Sequence, residues 1–216
     1  MARLRKHKNH IPRRLPDVLS PQEREALLRQ PNKKAPTGFR NYIMMRLMLN
    51  IGLRVSEVLK LEVRDVDLNT GKTWIRQAKG NRDRILWLQE DDLELLRQWR
   101  ERKPSSRLYF TTLHGTPLDQ RYVRAMVARQ AEKAGIQAYY PESKEDGRAY
   151  QKSRVHPHTL RHTFATDLLK ETKNLRLVQK ALGHTSISTT EIYTHIVDEE
   201  LETALRSFRG NGAQKP

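Results

Sequence analysis

The sequence predicts a mainly helical α+β domain with one small antiparallel sheet. Most of the chain places apolar residues at helical spacing, and one stretch alternates apolar and polar residues between turn signals. The chain has 216 residues and no cysteine, and a chain of this length buries a sizeable core without disulfides. The fold is therefore expected to rest on helix packing.

The first helices are predicted from capping signals and apolar density. Ser20 is a suitable N-cap, and Glu23 completes a capping box with it. The following stretch "GFRNYIMMRLMLNI" has the apolar density of a helix that is buried on much of its surface, and Gly52 ends it. A short helix, capped by Ser56, is expected to run to Lys60.

The stretch "DVDLNTGKTWIRQAKGNRDRILWL" predicts the sheet. Apolar and polar residues alternate along it, and Asn-Thr-Gly and Lys-Gly-Asn are turn signals. We therefore expect three antiparallel strands, with Lys79 at the second turn.

Helical patterns dominate the rest of the chain. Two of them fall in "EDDLELLRQWRERK" and "DQRYVRAMVARQAEKAGI", and Gly135 closes the second. Residues 137–155 are polar and irregular, which predicts a long exposed loop. The last third predicts helices at 159–171, 175–182, 189–197 and 199–208, with Gly183 ending the second of them.

The charge of the chain points to a polyanionic partner. Lys and Arg number 41 against 25 Asp and Glu, which gives a net charge of +16. Nucleic acid is the first candidate and an anionic membrane surface the second. No long apolar stretch and no signal peptide is evident, which favours a soluble, cytoplasmic protein.

The distribution of charge and apolar residues suggests three segments. Residues 1–18 form a basic arm, expected to be flexible, which is either a solvated tail or a segment that lies along phosphates. Residues 19–208 form the folded domain, and 209–216 a disordered tail.

The segment "HPHTLRHTFATDLLK" concentrates chemistry on one helix. His158, Arg161 and His162 are three and four residues apart, so they crowd together on one side of a helix unless an anion lies among them. The planar guanidinium of arginine can donate hydrogen bonds to two phosphate oxygens, and histidine can accept or donate a proton near neutral pH. The two histidines lack the Glu of a zincin helix and a third ligand, so we expect no metal site.

Four segments, taken in order, resemble one family. They are "IGLRVSEVLKL", "AKGNRDR", "HPHTLRHTFATDLL" and "LVQKALGHTSISTTEIYTHI", with Tyr193 nine residues after His184. This order strongly resembles the tyrosine recombinases, the phage integrases and Xer-type site-specific recombinases, over about residues 19–208. Each motif is weak alone, and their order makes the resemblance specific.

The resemblance implies a role for each matching residue. Tyr193 would attack the scissile phosphate and form a 3′-phosphotyrosyl bond, and Lys79 would protonate the leaving oxygen. His158 would assist proton transfer from the tyrosine. The phosphate would be held and neutralised by three further residues: Arg54, Arg161 and His184. Two residues would support them: Glu57, which orients cationic neighbours, and His162, which packs behind the site.

The resemblance also implies partners and leaves alternatives. It implies site-specific recombination (integration, excision or resolution) of double-stranded DNA by a homotetramer on two DNA sites, with no cofactor or metal ion. Typical relatives carry an extra N-terminal helical domain, and only a short basic arm precedes this catalytic region, so the chain is either a minimal enzyme or a fragment. If that domain is missing, we expect weak, salt-sensitive DNA binding. The alternatives are a type IB topoisomerase-like relaxing activity and an accessory DNA-binding protein that does not recombine.

Overall fold

The computed structural model describes residues 16–76, 83–140, 143–145, 148–150 and 153–183. Its helices are α1 (Pro21–Arg29), α2 (Pro36–Asn50), α3 (Val55–Lys60), α4 (Glu90–Arg102), α5 (Gln120–Lys133), α6 (Pro157–Thr172) and α7 (Leu175–Leu182). Its strands are β1 (Lys72–Ile75), β2 (Arg84–Trp87), β3 (Ser143–Glu145) and β4 (Arg148–Tyr150), and a 3₁₀ turn spans Val63–Asp65. The mainly helical α+β class is confirmed, whereas the three segment boundaries stay predictions.

Helix α2 lies at the centre of the core. Its sequence is apolar around most of its circumference, and it packs against α1, α3, α4 and α6. Its largest buried apolar side chains are Phe39, Ile43, Met44, Met45, Leu47 and Met48. Among the described residues, no helix is both long and apolar enough to cross a membrane.

Helix α1 is capped as predicted and is fixed to the helix that carries the histidines. Ser20 accepts from the Glu23 N–H at 3.2 Å, and Glu23 accepts from the Ser20 N–H at 2.8 Å. Glu23 also pairs with Arg154 at 2.7 Å, and Arg24 pairs with Asp167 of α6 at 2.5 Å. These contacts hold the start of the described chain against α6.

The prediction of three sheet strands is wrong. In the described part of the chain the sheet has two antiparallel strands, and the third position is a single bridge between Val66 and Thr73. The Asp67 carboxylate accepts the N–H groups of Asn69 and Thr70, so the chain turns directly after Val66. One paired residue therefore remains where a strand was expected.

The prediction of an irregular loop at 137–155 is also wrong. Strands β3 and β4 pair as an antiparallel hairpin within it, from Ser143 opposite Tyr150 to Glu145 opposite Arg148. Tyr139 and Ser153 form a further bridge near its base. Backbone pairing makes this hairpin from residues that carry no alternating apolar pattern.

Helices α6 and α7 form a smaller apolar cluster beside the main core. Ala165 and Leu169 of α6 pack against Val178 and Leu182 of α7, and all four are buried. Helix α7 ends at Leu182, as predicted, and Gly183 follows it in the left-handed conformation with φ 64°. Helix α7 also packs against β2.

Candidate active site

The carboxylate of Glu57, on α3, lies at the centre of a cluster of guanidinium groups. Glu57 is buried, and its side chain is 6% exposed. Its Oε1 accepts from Arg54 Nη1 at 2.9 Å, and its two oxygens accept from Arg84 Nη1 and Nη2 at 2.8 and 2.9 Å. Arg161 Nη1 lies 3.6 Å from Oε2.

Glu57 also sets where α3 begins, which corrects the prediction of a Ser56 cap. The Arg54 N–H donates to Glu57 Oε2 at 2.7 Å, so Arg54 is the N-cap and the helix starts at Val55. A carboxylate in the first turn is also favoured by the helix dipole. The same side chain thus fixes both the backbone and the guanidinium of Arg54.

Arg161, on α6, is almost fully buried, with 5% of its side chain exposed. Its Nη1 donates to the carbonyl of Gly52 at 2.5 Å, and its Nη2 donates to the carbonyl of Leu182 at 2.6 Å. Arg54 is the most open of the three arginines, with 28% of its side chain exposed.

The electrostatics of the cluster favour an anion. Burial alone would raise the pKa of Glu57, but the hydrogen bonds and charges of the guanidinium groups, Arg84 first, lower the pKa to about 2. Glu57 is therefore ionised at neutral pH. One carboxylate faces three guanidinium groups, so these four side chains carry a net charge of +2.

The two histidines of α6 add little positive charge at neutral pH. Partial desolvation lowers the pKa of His158, and neighbouring guanidinium groups, that of Arg161 foremost, lower it further. Burial lowers the pKa of His162 to about 4, with further contributions from His158 and Arg161. Repulsion between positive charges on α6 is therefore small, because both imidazoles are neutral and Glu57 lies beside Arg161.

The N-terminus of α6 orients His158. Pro157 occupies the first helical turn, and His156 is the N-cap, whose Nδ1 accepts from the His158 N–H at 3.3 Å. The rings of His156 and His158 meet edge to face, with centroids 5.9 Å apart. His158 itself is exposed, so its ring is open to a partner at the surface.

The structure brings together four of the predicted residues: Arg54, Glu57, His158 and Arg161. His162 lies one turn further along α6. The other three, Lys79, His184 and Tyr193, lie outside the described residues. Across the ranges that the structure describes, no three His, Asp or Glu side chains form a group that could hold a metal ion.

Two residues of the cluster were not predicted from the sequence. Arg84 lies two residues before Leu86 and four before Leu88, so all three side chains point to the same, buried face of the strand. A charged side chain in that register indicates a buried ion pair. Gly52 was predicted only to end a helix, but its carbonyl accepts from Arg161 and its φ is +65°. A Cβ there would lie 2.3 Å from Cδ1 of Phe164.

The model of the phage integrase family matches residues 17–200, which is most of the chain. The chain belongs to this family. It is 36% identical over 203 residues to the tyrosine recombinase XerD of Staphylococcus saprophyticus, covering 91% of this chain and 63% of that protein. The chain therefore spans less than two thirds of this curated relative.

Solved structures of Xer recombinases share the fold. A XerH site-specific recombinase bound to palindromic difH substrate, in a post-cleavage complex, is 32% identical with a TM-score of 0.69, and the match covers 91% of this chain and 54% of that chain. A XerA recombinase is 29% identical with a TM-score of 0.68, covering 95% and 68%. The predicted resemblance to the tyrosine recombinases is confirmed.

Proposed function

We propose that this chain cleaves and rejoins double-stranded DNA at specific sites through a 3′-phosphotyrosyl intermediate. The observation that carries the proposal is the arginine cluster: Glu57 fixes Arg54 and Arg161 beside His158, and the net positive charge suits a phosphate. Family membership and the net charge of +16 support DNA as the substrate.

The proposed reaction exchanges one phosphodiester for another. Tyr193 Oη attacks the scissile phosphorus, the bond from phosphorus to the 5′ oxygen breaks, and the DNA 5′-hydroxyl leaves. His158 accepts the tyrosine proton, and its lowered pKa supports this role because its imidazole is neutral at pH 7. Lys79 donates the proton that the leaving oxygen takes.

The phosphate is proposed to be held by Arg54, Arg161 and His184. The exposure of Arg54 supports direct contact between its guanidinium and a phosphate oxygen. The burial of Arg161 supports a role at the base of the site, where its charge acts through a low dielectric. Glu57 orients the arginines, and His162 packs behind them as a neutral ring.

The step needs no co-reactant, because one phosphodiester bond forms as another breaks. We therefore propose that neither a cofactor nor a metal ion takes part, with positive side chains meeting the charge that develops on the phosphate. Recombination is proposed to need four copies on two DNA sites, in the cytoplasm.

A covalent trapping assay tests the proposal. The protein is mixed with nicked suicide duplexes drawn from its own genomic neighbourhood and run on a denaturing gel, beside Tyr193→Phe and the control Tyr139→Phe. Tyr139 is exposed and lies outside the arginine cluster. We expect an adduct from the wild type and the control and none from Tyr193→Phe.

Two further assays separate the related activities. Exchange between two sites indicates a recombinase, whereas relaxation of supercoiled plasmid without exchange indicates a topoisomerase-like enzyme. DNA binding with no adduct on any duplex contradicts the proposal and indicates a non-recombining DNA-binding protein.

A further inference from the structure

Arg84 connects three parts of the site, although it faces away from solvent. It lies at the start of β2 with 6% of its side chain exposed. Its two terminal nitrogens donate to both oxygens of Glu57, and its Nε donates to the carbonyl of Ala181 at 2.7 Å. This two-pronged contact with a carboxylate fixes the orientation of a guanidinium as well as its position.

The carbonyl of Ala181 belongs to the last turn of α7. The last carbonyls of a helix lack partners within the helix, and cations are favoured there by the helix dipole. Arg84 holds Ala181, and Arg161 holds the next carbonyl, that of Leu182, at 2.6 Å. Two neighbouring carbonyls are thus bound by two buried arginines that both face Glu57.

The chain leaves this anchored turn toward a predicted phosphate ligand. Gly183 follows Leu182 in the left-handed conformation, and His184 is the next residue. Only Gly183 therefore separates the end of α7 from His184 in the sequence. Any movement of this turn is passed on to the histidine over a short stretch of chain.

We propose that Arg84 is a positioning residue for strand cleavage, which acts by anchoring the end of α7 and so placing His184 at the scissile phosphate. This inference rests on the proposed function. Without the guanidinium, the carbonyl of Ala181 loses its donor and Glu57 loses two hydrogen bonds, so that of the two arginines only Arg161 still holds a carbonyl at the end of α7. Misplacing a catalytic group by about 1 Å lowers a rate by about 10²-fold.

The first test compares Arg84→Gln with a matched control, Arg97→Gln. Arg97 also pairs with a carboxylate, Glu90, and also donates to a backbone carbonyl, that of Leu68, but it lies at the surface on α4. We expect Arg84→Gln to slow single-turnover cleavage by about 10²-fold with the Kd for duplex DNA unchanged, because all three guanidinium nitrogens of Arg84 donate to Glu57 and Ala181 and not to a phosphate. Arg97→Gln is expected to keep both values.

Double variants separate positioning from general structural damage. If Arg84 acts through His184, the pair Arg84→Gln and His184→Ala cleaves no more slowly than His184→Ala alone. The effects of Arg84→Gln and Lys79→Ala are instead expected to multiply. The proposal is overturned if Arg84→Gln slows cleavage by the same factor in the His184→Ala protein as in the wild type. Partial misfolding would give that result, because it lowers the cleavage rate of every variant by the same factor. Cleavage by Arg84→Gln at the wild-type rate also overturns it.

A conservative variant covers the case in which Arg84→Gln does not fold. Arg84→Lys keeps a positive charge beside Glu57, but a lysine cannot contact both carboxylate oxygens and the carbonyl of Ala181 together. We therefore expect this variant to fold and to cleave slowly, and to cause no further slowing in the His184→Ala protein. A wild-type protein that forms no adduct would refute the proposed function, whereas a cleaving wild type with multiplying effects would refute only the role of Arg84.

Discussion

Replacing Glu57 by glutamine removes the carboxylate that the guanidinium groups of Arg54, Arg84 and Arg161 share. Removing one partner of a buried ion pair leaves the other charges uncompensated and costs about 3–5 kcal/mol of folding stability. The pKa of Glu57 gives a similar figure, since a fall from 4.5 to about 2 corresponds to about 3 kcal/mol. We therefore expect Glu57→Gln to lower the free energy of unfolding by about 3 kcal/mol at pH 7.

The pH dependence makes this prediction specific to the Glu57 charge. A carboxylate whose folded pKa is depressed contributes full stability above its unfolded pKa and loses it as pH falls toward the folded pKa. The window therefore runs from about pH 4.5 down to about 2. At about pH 3.5 the wild type is expected to have lost about 1.4 kcal/mol of the Glu57 contribution, a loss that Glu57→Gln lacks.

Urea unfolding of both proteins at about pH 7 and about pH 3.5 measures the effect. All other titrating groups are shared, so their contributions cancel when the two proteins are compared. We expect the stability difference to shrink by about 1.4 kcal/mol at the lower pH. A difference that stays constant between the two pH values would refute the assignment of a depressed pKa to Glu57.

Three further results are expected. Gly52→Ala should destabilise the protein by about 1–3 kcal/mol more than Gly135→Ala in thermal or urea unfolding, since both glycines have positive φ but only at Gly52 does a Cβ meet Phe164; equal effects would contradict the contact. The ring of His162 should stay neutral down to about pH 4, so its folded form loses stability as pH falls from 6.5 toward 4; an NMR titration midpoint near 6.5 would contradict its burial. DNA affinity should fall steeply with salt, with a slope of about −0.9 per phosphate neutralised, and a salt-independent Kd would argue against phosphate contacts.

Local signals in the sequence were sufficient to predict several elements. The capping box of Ser20 and Glu23 starts α1, and Gly183 ends α7 where predicted. These signals act within one helical turn, so they do not depend on distant contacts. The resemblance to the tyrosine recombinases, drawn from the order of four motifs, likewise needed no structure.

Features that leave no apolar pattern in the sequence, or that depend on contacts far along the chain, were missed. The hairpin of β3 and β4 is formed by local backbone pairing, and its residues carry no apolar alternation. The role of Gly52 arises from Phe164 and Arg161, which follow it by more than a hundred residues. Arg84 did carry a signal, the inward register that it shares with Leu86, but its partners Glu57 and Ala181 are set by the fold.

The most direct test of the central claim locates the covalent bond. The trapped adduct is digested with trypsin and nuclease, and the nucleotide-bearing peptide is identified by mass spectrometry. Cleavage after Lys180 and Arg206 releases residues 181–206, in which Tyr193 is the only tyrosine. The account predicts a nucleotide on this peptide, attached at Tyr193 through a 3′-phosphate. A nucleotide on any other peptide, or a 5′-phosphate linkage, would contradict it.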